Sequence, residues 1–221
     1  MLRIALETSD RRASVALRAE DQVQFEALDP ETAHASDCLS RVSTWLEALE
    51  RTPDELDAVI VGVGPGSYTG LRIGVATALG LARGAGCVLR GVPSGEALAW
   101  RELAPGEELV HLLDARQKEA YLAHYGRSEE DVVVLQPPRV VDLEELAREL
   151  PGAAPIVGDA EALRLAELTE LVEERHREVA PPDASSLLEL GEARLERLGP
   201  HRMEEVEPLY LRPFAARVRR R

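Results

Sequence analysis

A glycine-rich segment, Gly64-Pro-Gly-Ser-Tyr-Thr-Gly70, holds the residue types in this chain that are best suited to chemistry. It follows a short apolar run at Asp57–Val63, which predicts a buried strand, and it precedes a predicted helix at Leu71–Ala85. Because the free N–H groups and the dipole of a helix N-terminus attract anions, such a loop could cradle a phosphate. Glycines here could equally permit a tight turn and close packing of the helix on the strand. The spacing favours this packing role.

Two specific nucleotide-binding motifs do not fit the segment. A P-loop requires a lysine directly after its last glycine, but Leu71 stands there and the chain's one lysine is Lys118. The dinucleotide fingerprint would require its third glycine at Ser67, and no acid lies about 20 residues further on. The segment therefore matches neither motif.

The end of the first predicted strand carries a carboxylate and two hydroxyls, at Glu7, Thr8 and Ser9. Such oxygen ligands could hold a magnesium nucleotide. They could also belong to a hairpin turn in which Thr8, Ser9 and Asp10 hydrogen-bond to nearby backbone. We favour the turn, because no glycine here would let a phosphate approach the backbone.

Metal-dependent and nucleophilic chemistry find little support in the sequence. No two histidines lie four residues apart, so no helix presents a pair of imidazoles to one metal ion. No Gly-x-Ser-x-Gly elbow occurs. The two cysteines are isolated, and we expect both to be reduced core residues. The residues concerned are His34, His111, His124, His176, His201, Cys38 and Cys87.

Two predicted helices of the first half carry surfaces that could pack closely against another helix. The helix at Leu71–Ala85 has small residues along two lines, and glycine in a helix interior costs about 1 kcal/mol relative to alanine. A second helix at Ser36–Arg51 has an apolar stripe in which Trp45 could anchor a subunit interface. Packing within the chain's own domain and packing against another subunit remain equally open. The two lines and the stripe contain Gly70, Gly74, Thr77, Ala78, Leu81, Gly80 and Gly84, and Leu39, Val42, Trp45, Leu46 and Leu49.

The remaining elements alternate between strands and helices in both halves, which is typical of an α/β protein. We predict a first lobe at residues 1–103 and a second at 104–221, separated at Ala104-Pro-Gly-Glu-Glu108. The sequence leaves open whether a long helix at Ser185–Leu198 packs back on the first lobe. Predicted strands are Leu2–Glu7, Ala13–Arg18, Gln22–Leu28, Cys87–Val92, Leu109–Asp114, Glu119–Tyr125, Asp131–Leu135 and Pro155–Val157, and the other predicted helices are Pro93–Leu103, Leu143–Leu150 and Ala160–Leu168.

Charge and hydropathy exclude several classes of protein. The formal net charge is −14, and five arginines in the last ten residues leave −19 on residues 1–211. So acidic a body repels a phosphate backbone, which disfavours direct nucleic-acid binding except at the arginine-rich end. No apolar run approaches the ~20 residues of a membrane span, and the N-terminus lacks the apolar core of a signal peptide. We therefore expect a cytoplasmic protein that makes no membrane contact.

The segment Gly64-Pro-Gly-Ser-Tyr-Thr-Gly-Leu-Arg-Ile-Gly74 resembles the signature of the TsaB (YeaZ) family. Four further segments match in order, so the resemblance spans nearly the whole chain. They are Ile4-Ala-Leu-Glu-Thr-Ser9, Val92-Pro-Ser-Gly-Glu-Ala-Leu98, Leu113-Asp-Ala-Arg116 with Glu119 and Tyr121, and Pro208-Leu-Tyr-Leu-Arg212.

The resemblance implies an actin/hexokinase-like (ASKHA) fold of two lobes, each a mixed sheet flanked by helices. It also implies a non-catalytic scaffold of the bacterial complex that makes N6-threonylcarbamoyladenosine at position 37 of tRNA. Such a subunit would bind and activate TsaD through the two first-lobe helices, and it would help recruit the ATPase TsaE. When alone it would form a homodimer through the same surface. It would contact tRNA only indirectly, through the complex. The interface residues would be Leu39, Val42, Trp45, Leu46, Gly70, Ile73, Gly74, Thr77, Ala78, Gly80 and Leu81.

In a second interpretation, the chain has the ATP-dependent activity of other proteins with the ASKHA fold. In it the chain would be an ASKHA-type ATPase or phosphotransferase that uses the interlobe cleft, with Glu7, Thr8 and Ser9 near the phosphates. Related kinases usually have an aspartate where Glu7 stands, and they have a nearby glycine that this chain lacks. Both departures argue against ATP hydrolysis by the isolated chain, so we expect no metal and no cofactor beyond a weakly held nucleotide at a subunit junction.

Overall fold

The computed structural model describes residues 1–30, 37–158 and 174–212. Three sequence-based predictions lie outside these ranges: Ser36 as a helix cap, the helix at Ala160–Leu168, and the arginine-rich segment after Arg212. His34 also lies outside them.

The first sheet has five strands in the order β3-β2-β1-β4-β5. Its first three strands form the antiparallel meander that the alternating apolar residues predict, and β4 and β5 then run parallel to β1. Both faces of the central strands are covered, which explains the continuous apolar runs in β1 and β4. The strands are β1 (Leu2–Glu7), β2 (Ser14–Ala19), β3 (Gln22–Ala27), β4 (Ala58–Gly62) and β5 (Val88–Val92).

Helices cover both faces of this sheet. α1 (Asp37–Ala48) and α2 (Tyr68–Ala85) pack on the face that receives Ile4 and Leu6. α3 (Ser94–Glu102) contributes to the core cluster on the opposite face, which receives the intervening Ala5. This division follows from the period of two along a strand.

The second sheet has four strands in the order β8-β7-β6-β9, and β9 is parallel to β6 while the other neighbours are antiparallel. A short helix, α4 (Leu146–Glu149), closes its outer core through Leu146. The fold class is therefore confirmed as α/β, with two mixed sheets flanked by helices. The strands are β6 (Glu108–Arg116), β7 (Glu119–Arg127), β8 (Val132–Asp142) and β9 (Ile156–Gly158).

The long helix near the end of the described chain, α5 (Ala184–Leu198), packs on the first sheet. Gly191 lies so close to β4 that a Cβ there would be 2.5 Å from the Ile60 side chain. Arg18 on β2 donates to Glu192 at 2.9 Å. Helix α5 thus crosses back from the second half of the chain, whereas the predicted lobe boundary at residue 103 stays a prediction.

Several predicted element boundaries were wrong by two or more residues, and two of these differences have a local reason. Helix α2 begins at Tyr68 because Ser67 caps it, accepting a hydrogen bond from the Gly70 N–H at 3.2 Å. Strand β8 continues to Asp142 because it is an edge strand, where prolines are tolerated. Helix α4 has only four residues, half of the predicted Leu143–Leu150.

None of the helices in the described part of the chain combines the length and the apolarity that a membrane crossing requires.

Candidate functional site

The carboxyl group of Glu7 lies at the end of β1 and is fully buried. Its Oε1 accepts a hydrogen bond from the Ser9 N–H at 2.7 Å, while Oε2 makes no hydrogen bond within the described residues. Gly62 on β4 is in contact with it, since a Cβ there would lie 2.3 Å from Oε2. Burial raises the pKa of Glu7 because it removes water from the charged form.

Glycines of the Gly64–Gly70 segment and of α2 pack directly against the residues that follow β1. A Cβ at Gly70 would be 2.2 Å from the Thr8 carbonyl oxygen, and a Cβ at Gly74 would be 2.1 Å from the Thr8 hydroxyl. A Cβ at Gly66 would be 2.2 Å from the Ser9 carbonyl oxygen. The glycines therefore serve close packing of helix on strand, the alternative that the spacing favoured.

This packing encloses Glu7, Thr8 and Ser9, the residues predicted to lie near a nucleotide. Their exposed fractions are 0%, 1% and 7%. The Glu7 and Thr8 side chains could not contact a phosphate unless the loop and α2 moved away. The three residues instead form the buried end of a hairpin.

Helices α1 and α2 present a joint outer surface, which contains part of the predicted interface. We use the name helix-pair face for eight small or apolar residues of α1 and α2 that retain solvent exposure. Gly80 lies near its centre, where a Cβ would meet no atom within 4 Å. The face consists of Leu39, Trp45, Ile73, Ala76, Thr77, Gly80, Leu81 and Gly84.

Five residues predicted for the interface are instead used in or near the chain's own core. Val42, Leu46 and Ala78 are at most 2% exposed and belong to the core beneath the two helices. Gly70 and Gly74 lie against Thr8. The difference follows from the rotation of α2. Gly70, Gly74 and Ala78 point towards the sheet, whereas Gly80 and Gly84 point to solvent.

Sequence reasoning assigned no role to an aromatic cluster beside the start of α2. The Tyr68 and Tyr210 rings are 5.1 Å apart, and Arg72 donates to the Tyr68 hydroxyl at 2.9 Å. Leu209 is fixed beneath by a hydrogen bond from its N–H to the Val63 carbonyl, at 2.7 Å.

No group of three or more histidine, cysteine, aspartate or glutamate residues in the described ranges is placed to hold a metal ion. Burial raises the pKa of Cys38 to about 12, so this thiol is not a reactive thiolate at neutral pH.

Comparisons with known proteins identify the family. The family model described as TsaD, tRNA N6-adenosine threonylcarbamoyltransferase, matches residues 29–219. The tRNA threonylcarbamoyladenosine biosynthesis protein TsaB of Escherichia coli is 31% identical over 230 aligned residues, which cover 95% of this chain and 94% of that protein. An uncharacterized Mycobacterium leprae protein, ML0378, is 42% identical over 93 residues, and there this chain spans only 25% of the relative's length.

Solved structures agree with the sequence comparison. YeaZ from Pseudomonas aeruginosa superposes with a TM-score of 0.77 at 25% identity, covering 95% of this chain and all of that one. A Pseudomonas aeruginosa structure described as an uncharacterized protein with similarity to peptidase YEAZ gives 0.80 at 26% identity, over 96% and 99% of the two chains. The resemblance carried by the glycine-rich signature is thereby confirmed, and the chain belongs to the TsaB (YeaZ) family.

Proposed function

We propose that this chain is a subunit of the machinery that makes threonylcarbamoyladenosine in tRNA, and that it works by docking TsaD rather than by catalysis. The observation that carries the proposal is the match, over 95% of the chain, to a relative named for that biosynthesis. The subunit would hold TsaD in a conformation competent for tRNA modification and help recruit TsaE at the junction. It would form a homodimer through the same surface when TsaD is absent.

The helix-pair face is the surface we assign to TsaD. Gly80 and Gly84 lie in α2, where each costs about 1 kcal/mol of helix stability relative to alanine. A Cβ at either position would meet nothing within 4 Å, so no contact among the described residues offsets that cost. Close approach of a second helix would offset it, because backbones can approach only where side chains are small.

The surroundings of Gly80 also suit a partner. A depression of about 500 Å³ lies between α2 and the segment after α5, which contributes Met203 and Glu204. Its α2 residues are Ala76, Leu79, Gly80 and Arg83. A depression with small residues at its floor and an arginine at its edge could receive a protruding apolar side chain of the partner.

Burial and charge support a non-catalytic role. Glu7 and Thr8 are sealed under α2, which leaves them unable to bind phosphate or magnesium in this conformation. The net charge of −19 on residues 1–211 would repel tRNA, so the partner would supply most of the basic surface.

The test is co-purification with TsaD from the same organism, using tagged Gly80→Arg. The arginine would project from the helix-pair face without an internal clash, so we expect a folded protein that retains less than about a tenth of the TsaD binding. Leu198→Arg is the matched control, because Leu198 is 55% exposed on α5, at the opposite face of the sheet. Ala78→Arg would be uninformative, since Ala78 is fully buried.

Unchanged TsaD binding by Gly80→Arg would reject the helix-pair face as the docking surface. The same pair of variants tests the homodimer in sedimentation: Gly80→Arg should be monomeric where the wild type and Leu198→Arg are dimeric. Calorimetry with magnesium-ATP addresses the enzymatic alternative, which requires micromolar binding and turnover that Glu7→Ala abolishes.

A further inference from the structure

A cavity of about 330 Å³ lies where the first hairpin, α3, the second sheet and the segment before α5 meet. Its inner wall is buried and includes Leu98, His111 and Pro182. Its outer wall is exposed and includes His176, Glu178 and Ala180. The volume is within the range of small-molecule sites in proteins. The other lining residues are Asp10, Leu113, Gly158, Val179 and Pro181.

His111 is the polar group of the inner wall. It is 3% exposed. Its Nδ1 is turned towards α3, where only the absence of a side chain at Gly95 leaves room, since a Cβ there would be 2.8 Å away. A buried polar side chain on the wall of a largely apolar cavity is a candidate contact for a ligand.

The imidazole of His111 is neutral at physiological pH. Burial lowers its pKa to about 4, because the apolar surroundings disfavour the charged ring. A neutral imidazole offers one N–H donor and one nitrogen acceptor. Through one ring nitrogen it can therefore either donate to or accept from a polar group of a ligand, such as an amide.

The charges around the cavity limit what can enter. Asp10 and Glu178 are the carboxylates among its described lining residues, which include no arginine or lysine. The nearby Arg101 is occupied, since it donates to Asp183 at 2.5 Å and to the Pro181 carbonyl at 3.0 Å. An anion would meet two carboxylates and no free cation, so phosphates and carboxylates are disfavoured.

We propose that this cavity is a binding site for a small neutral or cationic molecule with an apolar ring and an amide-like polar group, held by His111. The site is separate from the helix-pair face, and it does not depend on the proposed role in tRNA modification. It also differs from a polyphosphate nucleotide site, because its lining repels negative charge.

Three molecules of almost identical shape test the proposal: benzamide, benzamidine and benzoate, which are neutral, cationic and anionic at pH 7.5. They would be titrated to about 20 mM into the full-length chain labelled with ¹³C-histidine, since ligands of this size bind weakly. We expect benzamide and benzamidine to shift the ring signals of His111 and His176 in a saturable manner. Benzoate should bind at least about tenfold more weakly. His124 and His201 are internal references, because they do not line the cavity.

Two variants check the location. His111→Phe keeps the ring but removes its hydrogen bonds, and should weaken benzamide binding about fivefold or more, followed through His176. Leu113→Trp would fill the cavity from a half-buried position and should abolish binding even if His111→Phe fails to fold. The proposal is overturned if no probe shifts His111, if benzoate binds as well as benzamide, or if magnesium-ATP shifts His111 at lower concentration than benzamide does.

Discussion

Glu7 shows how one residue can have the chemistry of a ligand site and the surroundings of a core. Its carboxyl group ends a strand, as acidic ligands of magnesium often do, but Gly62 and Ser9 enclose it. The ionised form therefore loses its hydration and keeps only part of its hydrogen bonding. Glu7 consequently affects stability in a pH-dependent way.

We expect the wild type to lose stability relative to Glu7→Gln as the pH rises. Because the pKa of Glu7 is raised in the folded state, the folded chain holds a proton that the unfolded chain has already released above its ordinary pKa of 4.5. Between these two pKa values the unfolding free energy should fall by up to about 1.4 kcal/mol per pH unit relative to the variant. Urea denaturation of both proteins from pH 4 to pH 8 measures the difference.

Below the ordinary pKa both proteins carry a neutral group, so their difference should become constant there. Glu189→Gln is the control for the substitution itself, since Glu189 is exposed on α5. A Glu7→Gln difference that stays flat across the whole range would mean that Glu7 is ionised at no cost, and that its surroundings are more polar than its burial implies.

At the scale of the element, α2 has two lines of small residues with opposite roles. Gly70 and Gly74 face the end of β1 and allow contact with Thr8. Gly80 and Gly84 face solvent, and a Cβ at either would meet no atom of the described residues within 4 Å. The helix therefore uses small residues inward for its own fold and, in our proposal, outward for a partner.

The same substitution at the two lines should change stability in opposite directions. Gly80→Ala should raise the unfolding free energy by about 1 kcal/mol, because alanine is the better helix former and the new methyl group has open space. Gly74→Ala should lower it by about 1–3 kcal/mol, because the methyl group would overlap the Thr8 hydroxyl. Thermal and urea unfolding measure both, with Gly84→Ala as a second solvent-facing case.

If Gly80→Ala were destabilising in the isolated monomer, an intrachain contact would have to exist at that position. The assignment of the outward line to a partner would then lose its physical basis.

Alternating apolar residues and helix-compatible spacing predicted nearly every described strand and helix, because such patterns depend only on which face of an element is buried. They could not say which line of α2 faces the sheet, since glycine and alanine suit both a core and a docking surface. The cavity around His111 was also beyond prediction. Its walls come from β6, β9 and the segment before α5, and only the sheet order brings residues 10, 111 and 176 together.

At the scale of the whole molecule, one buried cluster of charges connects the two sheets. Arg194 on α5 donates to Glu96 of α3 at 2.5 Å and to Asp131, before β8, at 2.7 Å. All three side chains are largely buried, with exposed fractions of 10%, 11% and 17%. Because α5 packs on the first sheet, α3 packs on α5 and on the second sheet, and Asp131 leads into the second sheet, Arg194 holds both sheets in one arrangement.

We expect Arg194→Met to lower the unfolding free energy by about 3–5 kcal/mol. Methionine replaces most of the buried volume, but it leaves Glu96 as a buried carboxylate without a cation and leaves Asp131 with Arg197 as its remaining cation. Adding Glu96→Gln to that variant should recover part of the loss, because one unpaired charge is removed. Urea denaturation followed by tryptophan fluorescence is a suitable measurement, since Trp45 reports on α1 and Trp100 on the interior near Arg127. A loss below about 1 kcal/mol would show that apolar packing between α5 and the sheets, rather than this cluster, fixes their arrangement.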